Sequence, residues 1–339
     1  MKFDFVIGNP PYQQESKGAN ANDTPVYHLF YDEAFKIAEK VELISPARFL
    51  FNAGGTPKNW NEKMLQDAHF KVEQFVQKSS DVFANTDIKG GVVITYRDTS
   101  RNFGAIDVFT AYTELNSIRE KVDKIAHGSL SEIITNRGLY RYSDKAYDEQ
   151  PNEMCKTADR RIAPSAFERM PKLFTEQKPN DGNEYIQIYG NIKSERYYRW
   201  FRKDYLAETS NLYKYKVLIP KANGSGTIGE VLSTPLIGSP LIGFTETYIS
   251  IGETDSKSEA EAILKYVKTK FARTLLGILK VTQNNAKPTW KKVPLQNFTS
   301  DSDIDWSVSV AEIDKQLYKK YDLSPEEIEF IETHVKEMV

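Results

Sequence analysis

The chain has 339 residues, of which 40% are hydrophobic and 27% charged, and its net charge is −2. This length allows two domains that each bury a core, and the composition is that of a soluble globular protein. The single cysteine, Cys155, excludes a disulfide framework, and no apolar stretch approaches membrane-spanning length. We therefore expect a cytoplasmic protein that does not bind a membrane.

The first element of the chain is a strand that ends in a stiff corner. Residues 3–7 form a short apolar run, which is typical of a strand and is stopped by the sequence Gly-Asn-Pro-Pro. Each proline fixes its own φ angle and restricts the residue before it. The corner therefore presents the Asn9 amide, the Pro10 and Pro11 carbonyls and the Tyr12 ring in a rigid arrangement.

This corner carries the groups that one difficult reaction needs. The exocyclic amine of adenine is a poor nucleophile because its lone pair is delocalised into the ring. If the Asn9 amide oxygen and the Pro10 carbonyl both accept hydrogen bonds from that amine, the nitrogen becomes more tetrahedral and its lone pair becomes available. Tyr12 would stack on a base that has been turned out of the duplex. The alternative is an ordinary strand-to-loop turn, in which Asn, Pro and Gly are common.

The sequence FDFVIGNPPY resembles motif IV of the N6-adenine DNA methyltransferases, specifically the gamma class, whose recognition domain follows the catalytic domain. It is most similar to the methyltransferase parts of type II restriction-modification enzymes, including the type IIG proteins that fuse nuclease and methylase. The resemblance implies that Asn9, Pro10, Pro11 and Tyr12 form the catalytic motif. It also implies that Asn9 and Pro10 contact S-adenosylmethionine and that Tyr12 stacks on the flipped adenine.

The chain departs from this family at the cofactor site. Family members hold S-adenosylmethionine with a glycine-rich loop and an acidic residue that precede motif IV, whereas here motif IV begins at residue 3. The later glycine cluster at residues 224–229 is no replacement, because Pro235 and Pro240 leave no helix N-terminus after it. We therefore expect the cofactor to be bound mostly by a segment missing from this chain, and the chain alone to be inactive.

The elements that follow alternate between helix and strand. They are a helix over residues 27–40, a strand over 41–46, a helix over 59–68, a strand over 72–76 and a strand over 92–96. This order predicts an α/β fold in which residues 1–105 form the C-terminal half of a Rossmann-like methyltransferase sheet that ends in a hairpin.

Two further segments of this first domain resemble later motifs of the same family. Residues 44–50 are similar to the sixth motif. Phe83 matches the aromatic residue of the eighth motif, which packs on the flipped base opposite the tyrosine, although Ala84 stands where the family usually has proline. A plain core aromatic is the alternative for Phe83. Lys89 is a candidate contact to the DNA backbone at the mouth of the site, with a solvated turn lysine as its alternative.

A second domain, residues 106–339, is predicted as an α+β target-recognition domain. Residues 221–227, 245–248 and 281–285 resemble the recognition region of the family. From residue 248 to 280 we expect a strand, a turn and an amphipathic helix. The chain then ends in an acidic helical tail, because eleven acidic residues oppose four basic ones from residue 301 on, and residues 324–327 carry a helix-capping signal.

Double-stranded DNA is the expected partner of this second domain. Eight basic residues oppose three acidic ones over residues 193–221 and alternate with aromatic residues, which is the pattern expected of a surface that binds phosphates. A solvated helix face explains this run equally well. The candidate DNA contacts are basic, amide or hydroxyl side chains, namely Arg137, Arg141, Lys221, Asn223, Ser225, Gln283, Asn284 and Lys287. For residues 283–287, capping of the neighbouring elements is an equal alternative.

Three functional hypotheses follow from these patterns. The four histidines are scattered and form no cluster at metal-ligand spacing, so no metal site is expected. The first hypothesis is a site-specific DNA adenine-N6 methyltransferase of a restriction-modification system, or its target-binding half, acting with a separate cofactor-binding segment. The second is a non-catalytic DNA-recognition subunit. The third is a restriction endonuclease subunit, of which the segments described above are the modification region.

Overall fold

The computed structural model describes residues 3–14, 24–52, 55–84, 88, 90–110, 112–280 and 282–338. These residues form two compact units, Met1–Thr113 and Glu114–Val339, and the architecture is mixed α/β. Segment 105–110 belongs to the first unit, because the Asp107 amide donates to the Leu65 carbonyl at 2.9 Å and Phe109 packs on Phe51. Within the described ranges, none of the helices combines the length and the apolar character that crossing a membrane requires.

The first unit is built around a four-stranded sheet. Its elements are β1 (Phe3–Gly8), β2 (Gln13–Gln14), β3 (Thr24–Pro25), α1 (Tyr27–Ile37), β4 (Ala38–Pro46), α2 (Lys58–Gln66), β5 (Phe70–Val76) and β6 (Val92–Asp98). The sheet order is β1-β4-β6-β5, and β2 pairs with β3 in a separate two-residue ladder. β1 is parallel to β4, whereas β6 is antiparallel to both of its neighbours. Strands β1, β4 and β5 therefore run in the same direction.

One face of this sheet carries the core of the unit. Tyr31 of α1 is fully buried, and its hydroxyl lies 2.7 Å from Oγ1 of Thr95 and 3.1 Å from Oγ of Ser45. Trp60 of α2 packs on Phe49, with 5.2 Å between their ring centroids. Both helices therefore lie on the same face, where apolar burial stabilises the unit and the two buried hydroxyls are satisfied through Tyr31.

The opposite face of β1 is exposed. Phe3, Phe5 and Ile7 lie on it at alternate positions and are 47%, 45% and 73% exposed, whereas Val6 points toward the core cluster. Phe5 makes a stacked contact with Tyr96 of β6 at 6.3 Å. The outer edge of β1 has no strand partner among the described residues. Parallel strands are normally covered on both faces, so this strand is unusually open.

Two predicted helices have different boundaries in the structure. The helix predicted over residues 27–40 ends at Ile37, because Ala38 begins β4 and pairs with Phe3 of β1. Strand pairing here overrides a helical pattern that continues in the sequence. The helix predicted up to residue 280 is two helices, and the break lies at Thr269, whose ψ of 147° is extended and whose Oγ1 accepts from the Ala272 amide at 3.1 Å.

The second unit contains two three-stranded sheets and several helices. Its strands are β7 (Tyr185–Ile192), β8 (Glu195–Arg202), β9 (Tyr215–Pro220), β10 (Leu236–Gly238), β11 (Ile242–Phe244) and β12 (Tyr248–Thr254). Its helices are α3 (Thr113–Ile125), α4 (Asp144–Glu149), α5 (Pro151–Met154), α6 (Ala166–Arg169), α7 (Lys257–Lys268), α8 (Lys270–Leu279), α9 (Val310–Lys320) and α10 (Pro325–His334). The sheets have the orders β10-β9-β12 and β11-β7-β8.

The acidic C-terminal helices are part of the second unit's core. The predicted capping signal is confirmed, because Ser324 and Glu327 form a reciprocal capping box at the start of α10. Glu327 also accepts hydrogen bonds from Ser117 at 2.6 Å and from Lys121 at 2.9 Å. Ile313 and Ile331 are fully buried. Most acidic side chains of this segment are exposed, whereas Glu327 is buried in an ion pair and Asp314 is buried where it accepts from the amides of Lys270 and Phe271.

Candidate functional site

The parallel strands of the first unit end at one edge of the sheet. Because β1, β4 and β5 run in the same direction, residues 9–12, 47–51 and 77–84 all follow carboxyl ends at this edge. Ligands of open α/β sheets bind at such an edge. The structure therefore brings the predicted catalytic corner and the segment around Phe83 to the same side of the sheet.

The corner after β1 presents its side chains to solvent in an alternating manner. Asn9 and Pro11 are exposed, Pro10 is buried and Tyr12 is half-buried. The Tyr12 carbonyl accepts a hydrogen bond from the Val26 amide at 3.1 Å, which ties the corner to the start of α1. Burial of Pro10 anchors the corner, while the Asn9 side chain stays accessible to a substrate.

The hydrogen bonding of the Tyr12 hydroxyl is incomplete. Its hydroxyl oxygen is buried and has no hydrogen-bond partner of normal geometry within the described part of the chain. Burial raises the pKa of this hydroxyl, and the nearby Asn9 side chain acts in the opposite direction. A buried polar atom without a partner is uncommon, and it often marks a position where a ligand completes the hydrogen bonding.

Phe83 faces Tyr12 across the edge of the sheet. Their ring centroids are 6.4 Å apart, and the ring planes make an angle of 63°. The Phe83 amide donates to the Ser79 carbonyl at 2.8 Å, and Ser79 Oγ accepts from the Ile88 amide at 2.8 Å. Ser79 thus fixes both ends of the segment that carries Phe83. Ser79 was not among the predicted site residues, although serine is a common turn former and this one lies three residues after the end of β5.

The glycines before β6 close the other side of this edge. Gly90 and Gly91 have φ angles of 90° and 80°, which non-glycine residues rarely adopt. A Cβ at Gly90 would lie 2.8 Å from Cγ of Arg48, and the Gly91 carbonyl accepts from the Ala47 amide at 3.0 Å. The predicted DNA contact Lys89 lies outside the described residues.

The second unit brings together predicted contacts that are far apart in the sequence. The Asn223 amide donates to the Gln283 carbonyl at 2.8 Å, and the Asn285 amide donates to the Lys221 carbonyl at 2.8 Å. The side chains of Gln283 and Asn284 are exposed. These backbone hydrogen bonds hold the two predicted recognition segments side by side.

Buried Asn285 fastens this pairing. Its Nδ2 donates to the Pro220 carbonyl at 3.0 Å and to Oδ1 of Asn223 at 2.5 Å. Its carbonyl accepts from the Trp290 indole at 3.1 Å, so it also holds the half-buried turn Lys287–Trp290. Asn285 was not among the predicted contacts, and its role depends on contacts that sequence spacing does not reveal.

Arg137 contacts a buried carboxylate, and Arg141 lies beside a second arginine that contacts the same group. Nε of Arg137 donates to Oε1 of Glu246 at 3.0 Å, and Arg161 reaches the same oxygen at 3.0 Å. Arg141 is exposed, and its backbone pairs with Arg161. Lys221 is half-buried nearby, where burial and then the positive charge of Arg137 lower its pKa.

Much of the basic run over residues 193–221 is neutralised by local carboxylates. Arg199 lies 2.9 Å from Glu176, and Lys203 lies 2.9 Å from Glu184. Arg202 and Lys214 are likewise ion-paired. These side chains are therefore less available to bind phosphate than the sequence pattern implied.

The glycine cluster of the second unit does not fit S-adenosylmethionine. The amides of Ser225 and Gly226 donate to the Glu230 carboxylate at 2.8 Å and 3.2 Å, so this loop already binds an internal anion. Its amides are not free to cradle the charged groups of a cofactor. Among the described residues, no cluster of His, Cys, Asp and Glu side chains is arranged to hold a metal ion.

The amino-terminal segment of the chain matches known proteins. Residues 1–83 match the Eco57I restriction-modification methylase family. A curated relative, an "uncharacterized adenine-specific methylase" of Mycoplasma pneumoniae (strain ATCC 29342 / M129 / Subtype 1), is 31% identical over 96 residues, which cover 27% of this chain and 22% of that protein. The chain thus spans about a fifth of the length of this relative. The predicted resemblance to restriction-modification methylases is confirmed over this segment.

Two solved structures are similar over most of the chain at low identity. The type IIG restriction endonuclease BpuSI has a TM-score of 0.34 and 9% identity, with 93% of this chain and 50% of that chain covered. The type IIL restriction-modification enzyme MmeI, solved in complex with DNA, has a TM-score of 0.40 and 11% identity, with 97% and 56% covered. The chain spans about half the length of each.

Proposed function

We propose that this chain is the catalytic-corner and target-binding part of a site-specific DNA adenine-N6 methyltransferase of a restriction-modification system. The observation that supports this best is the accessible Asn9 on a proline-anchored corner, with the aromatic pair of Tyr12 and Phe83 beside it. The match of residues 1–83 to restriction-modification methylases supports it independently.

In the proposed reaction, the corner binds the amine of an extruded adenine. The Asn9 amide oxygen and the Pro10 carbonyl accept its two hydrogen atoms, which holds the nitrogen lone pair toward the methyl donor. This catalysis relies on positioning and on fixed dipoles, which need no reorganisation during the reaction. The rings of Tyr12 and Phe83 hold the base by stacking, which is sequence-tolerant and contributes about 1–3 kcal/mol per base.

S-adenosylmethionine would supply the methyl group, and the described residues provide only part of its site. Asn9 and Pro10 would contact it at the corner, and we propose that an additional α/β segment binds the rest. The open edge of β1 and its exposed Phe3, Phe5 and Ile7 support this, because a further strand and its helices would cover them.

The fold that we propose for the complete enzyme follows from the same strands. The sheet of parallel β1, β4 and β5 with antiparallel β6 would be the C-terminal half of a Rossmann-like methyltransferase sheet, over about residues 1–105. The second unit, Glu114–Val339, would form the target-recognition domain. Double-stranded DNA would contact the basic and amide side chains around Arg137, Lys221 and Gln283, and the protein would act in the cytoplasm.

The test is a chromosomal Asn9→Ala substitution in the source organism, which leaves any additional segment in place. Genomic DNA from the variant strain is sequenced by a single-molecule method that detects N6-methyladenine. We expect one methylated sequence motif to disappear, because the amine of adenine loses one of its two hydrogen-bond acceptors. The purified variant chain should still bind duplex DNA as the wild type does.

The matched control is Asn59→Ala, which removes an exposed asparagine from α2 in the same unit. This strain should keep every methylated motif. If Asn9→Ala also leaves all motifs methylated, the proposed role of the corner is wrong.

A DNA-recognition subunit without catalysis is the second candidate. The paired recognition segments around Asn223 and Gln283 favour it, since they belong entirely to the second unit. It predicts that deleting the gene removes a methylated motif while Asn9→Ala does not. A restriction endonuclease subunit, the third candidate, predicts that the purified chain cleaves unmethylated DNA.

A further inference from the structure

Three cationic side chains converge on one buried carboxylate in the second unit. Glu246 is 7% exposed, and a single oxygen of it, Oε1, accepts from Nε of Arg137 at 3.0 Å and lies 3.0 Å from a terminal nitrogen of Arg161. The other side of the Arg161 guanidinium is bound by Asp159, at 3.0 Å and 2.9 Å from its Nε. Lys221 is the third cation: its backbone amide donates to the carbonyl of Thr247, next to Glu246, at 2.9 Å, and its ammonium interacts electrostatically with Arg137, Glu246 and Arg161.

The charges of this group do not balance. Three cations oppose two carboxylates, which leaves one positive charge uncompensated, and the exposed Arg141 adds another through its interaction with Asp159. Arg137 binds Glu246 through Nε, and within the described part of the chain its terminal nitrogens and Nζ of Lys221 donate no hydrogen bond. Burial and the neighbouring arginines lower the pKa of Lys221. An anion bound between these groups would relieve that repulsion.

The position of the arginines is fixed by the backbone. Gly138 has a φ of 75°, and a Cβ there would lie 2.5 Å from Cδ of Arg161 and 2.9 Å from Oε1 of Glu246. Only glycine leaves room for this ion pair. Glu246 is itself held, because its amide donates to the Ile162 carbonyl at 2.9 Å. Glu246 therefore holds Nε of Arg137 at a fixed position, while the Arg137 side chain remains 55% exposed.

We propose that Arg137 and Lys221 form a binding site for one phosphate of the duplex DNA backbone, with Arg161 as a positioning residue because its guanidinium is already bound by Asp159 and Glu246. This proposal rests on the proposed function only in naming DNA as the molecule that carries the phosphate. Arginine and lysine side chains bind phosphate through charge-assisted hydrogen bonds, and they bind it best when their positions are already fixed. The site adjoins the exposed Gln283 and Asn284 through the hydrogen bond from the Asn285 amide to the Lys221 carbonyl. A phosphate fixed here would set the register in which those amides meet base edges.

The test is the salt dependence of DNA binding by the full chain. Binding of a random-sequence duplex is measured by fluorescence anisotropy over a series of salt concentrations, for wild type, Lys221→Met and Arg137→Met. We expect each variant to lower the slope of log affinity against log salt by about one, with the same loss on duplexes of different sequence. The control Lys257→Met removes an exposed lysine at the start of α7 and should leave the slope unchanged.

Slopes and affinities of Lys221→Met and Arg137→Met that equal the wild-type values overturn the phosphate site. Wild-type protein that fails to bind duplex DNA at low salt overturns it as well. Neither result decides the proposed catalytic role of the corner, which is judged by genomic methylation in the Asn9→Ala strain. Retained methylation in that strain would in turn leave the phosphate site standing.

Discussion

The rings of Tyr12 and Phe83 face each other edge to face, with 6.4 Å between their centroids and 63° between their planes. A base stacked between the two rings needs ring planes that are close to parallel, which the present angle does not provide. A rotation of one ring would convert the pair from an aromatic contact into a slot for a nucleobase.

Methylation should depend on both rings, and loss of the Tyr12 ring should reduce it more than replacement of Phe83. We expect Tyr12→Ala to remove the methylated motif from genomic DNA and Tyr12→Phe to retain it, because the phenylalanine ring still stacks. Phe83→Leu should lower the methylated fraction, since one stacking face worth about 1–3 kcal/mol is lost. The measurement is the methylated fraction of the motif in each chromosomal variant.

Removing the Tyr12 hydroxyl should have no effect on methylation even when Phe83 is replaced. A strain with both Tyr12→Phe and Phe83→Leu should methylate no less than Phe83→Leu alone. Undiminished methylation in Tyr12→Ala would show that the tyrosine ring does not hold the base.

The exposed strand β1 should make the isolated chain associate with itself. Ile7 is 73% exposed on an edge strand without a partner among the described residues, and such edges pair with other chains. We expect concentration-dependent association in sedimentation velocity experiments, and we expect Ile7→Lys to shift the distribution toward the monomer. The control Val231→Lys replaces an apolar residue that is 43% exposed in the second unit and should not change association. Equal association of Ile7→Lys and wild type would contradict a role for this edge.

The corner after β1 and the order of elements in the first unit were predictable from the sequence, whereas the long-range contacts were not. Strand-type apolar runs and the Asn-Pro-Pro stop signal are local, so β1 and its corner follow from neighbouring residues. The start of β4 at Ala38 depends on pairing with Phe3, and the site at Glu246 joins Arg137 to Arg161 and Lys221. Such contacts join residues far apart in the chain, and no local pattern encodes them.

Buried Lys216 should make the stability of the second unit depend on pH. Burial lowers its pKa to about 7, and its Nζ donates to the Asn211 carbonyl at 2.7 Å. In the unfolded chain its pKa is about 10.4. Between these values the unfolded state binds more protons, so the free energy of unfolding should rise with pH by up to about 1.4 kcal/mol per unit.

The measurement is urea denaturation at several pH values between 7 and 9. We expect Lys216→Met to remove this rise, because the titrating group is gone, and Lys257→Met, on an exposed helix, to keep it. A wild-type stability that is flat over this range would mean that Lys216 stays charged in the fold or is accessible to water.

Lys280 and Glu230 form a buried ion pair whose two members should depend on each other. The Lys280 side chain is 2% exposed and that of Glu230 is 16% exposed, and Nζ of Lys280 also donates to the Asn223 carbonyl at 2.9 Å. Glu230→Gln leaves the buried ammonium without its counter-charge, and breaking such a pair costs about 3–5 kcal/mol. The double variant Glu230→Gln, Lys280→Met removes both charges and should recover most of this loss.

Urea denaturation measures the free energy of unfolding of the single and the double variant. The control is Glu261→Gln, in the exposed pair with Lys257, for which we expect a change of at most about 1 kcal/mol. A double variant as unstable as Glu230→Gln would mean that the pair acts through its hydrogen bonds and not through its charges.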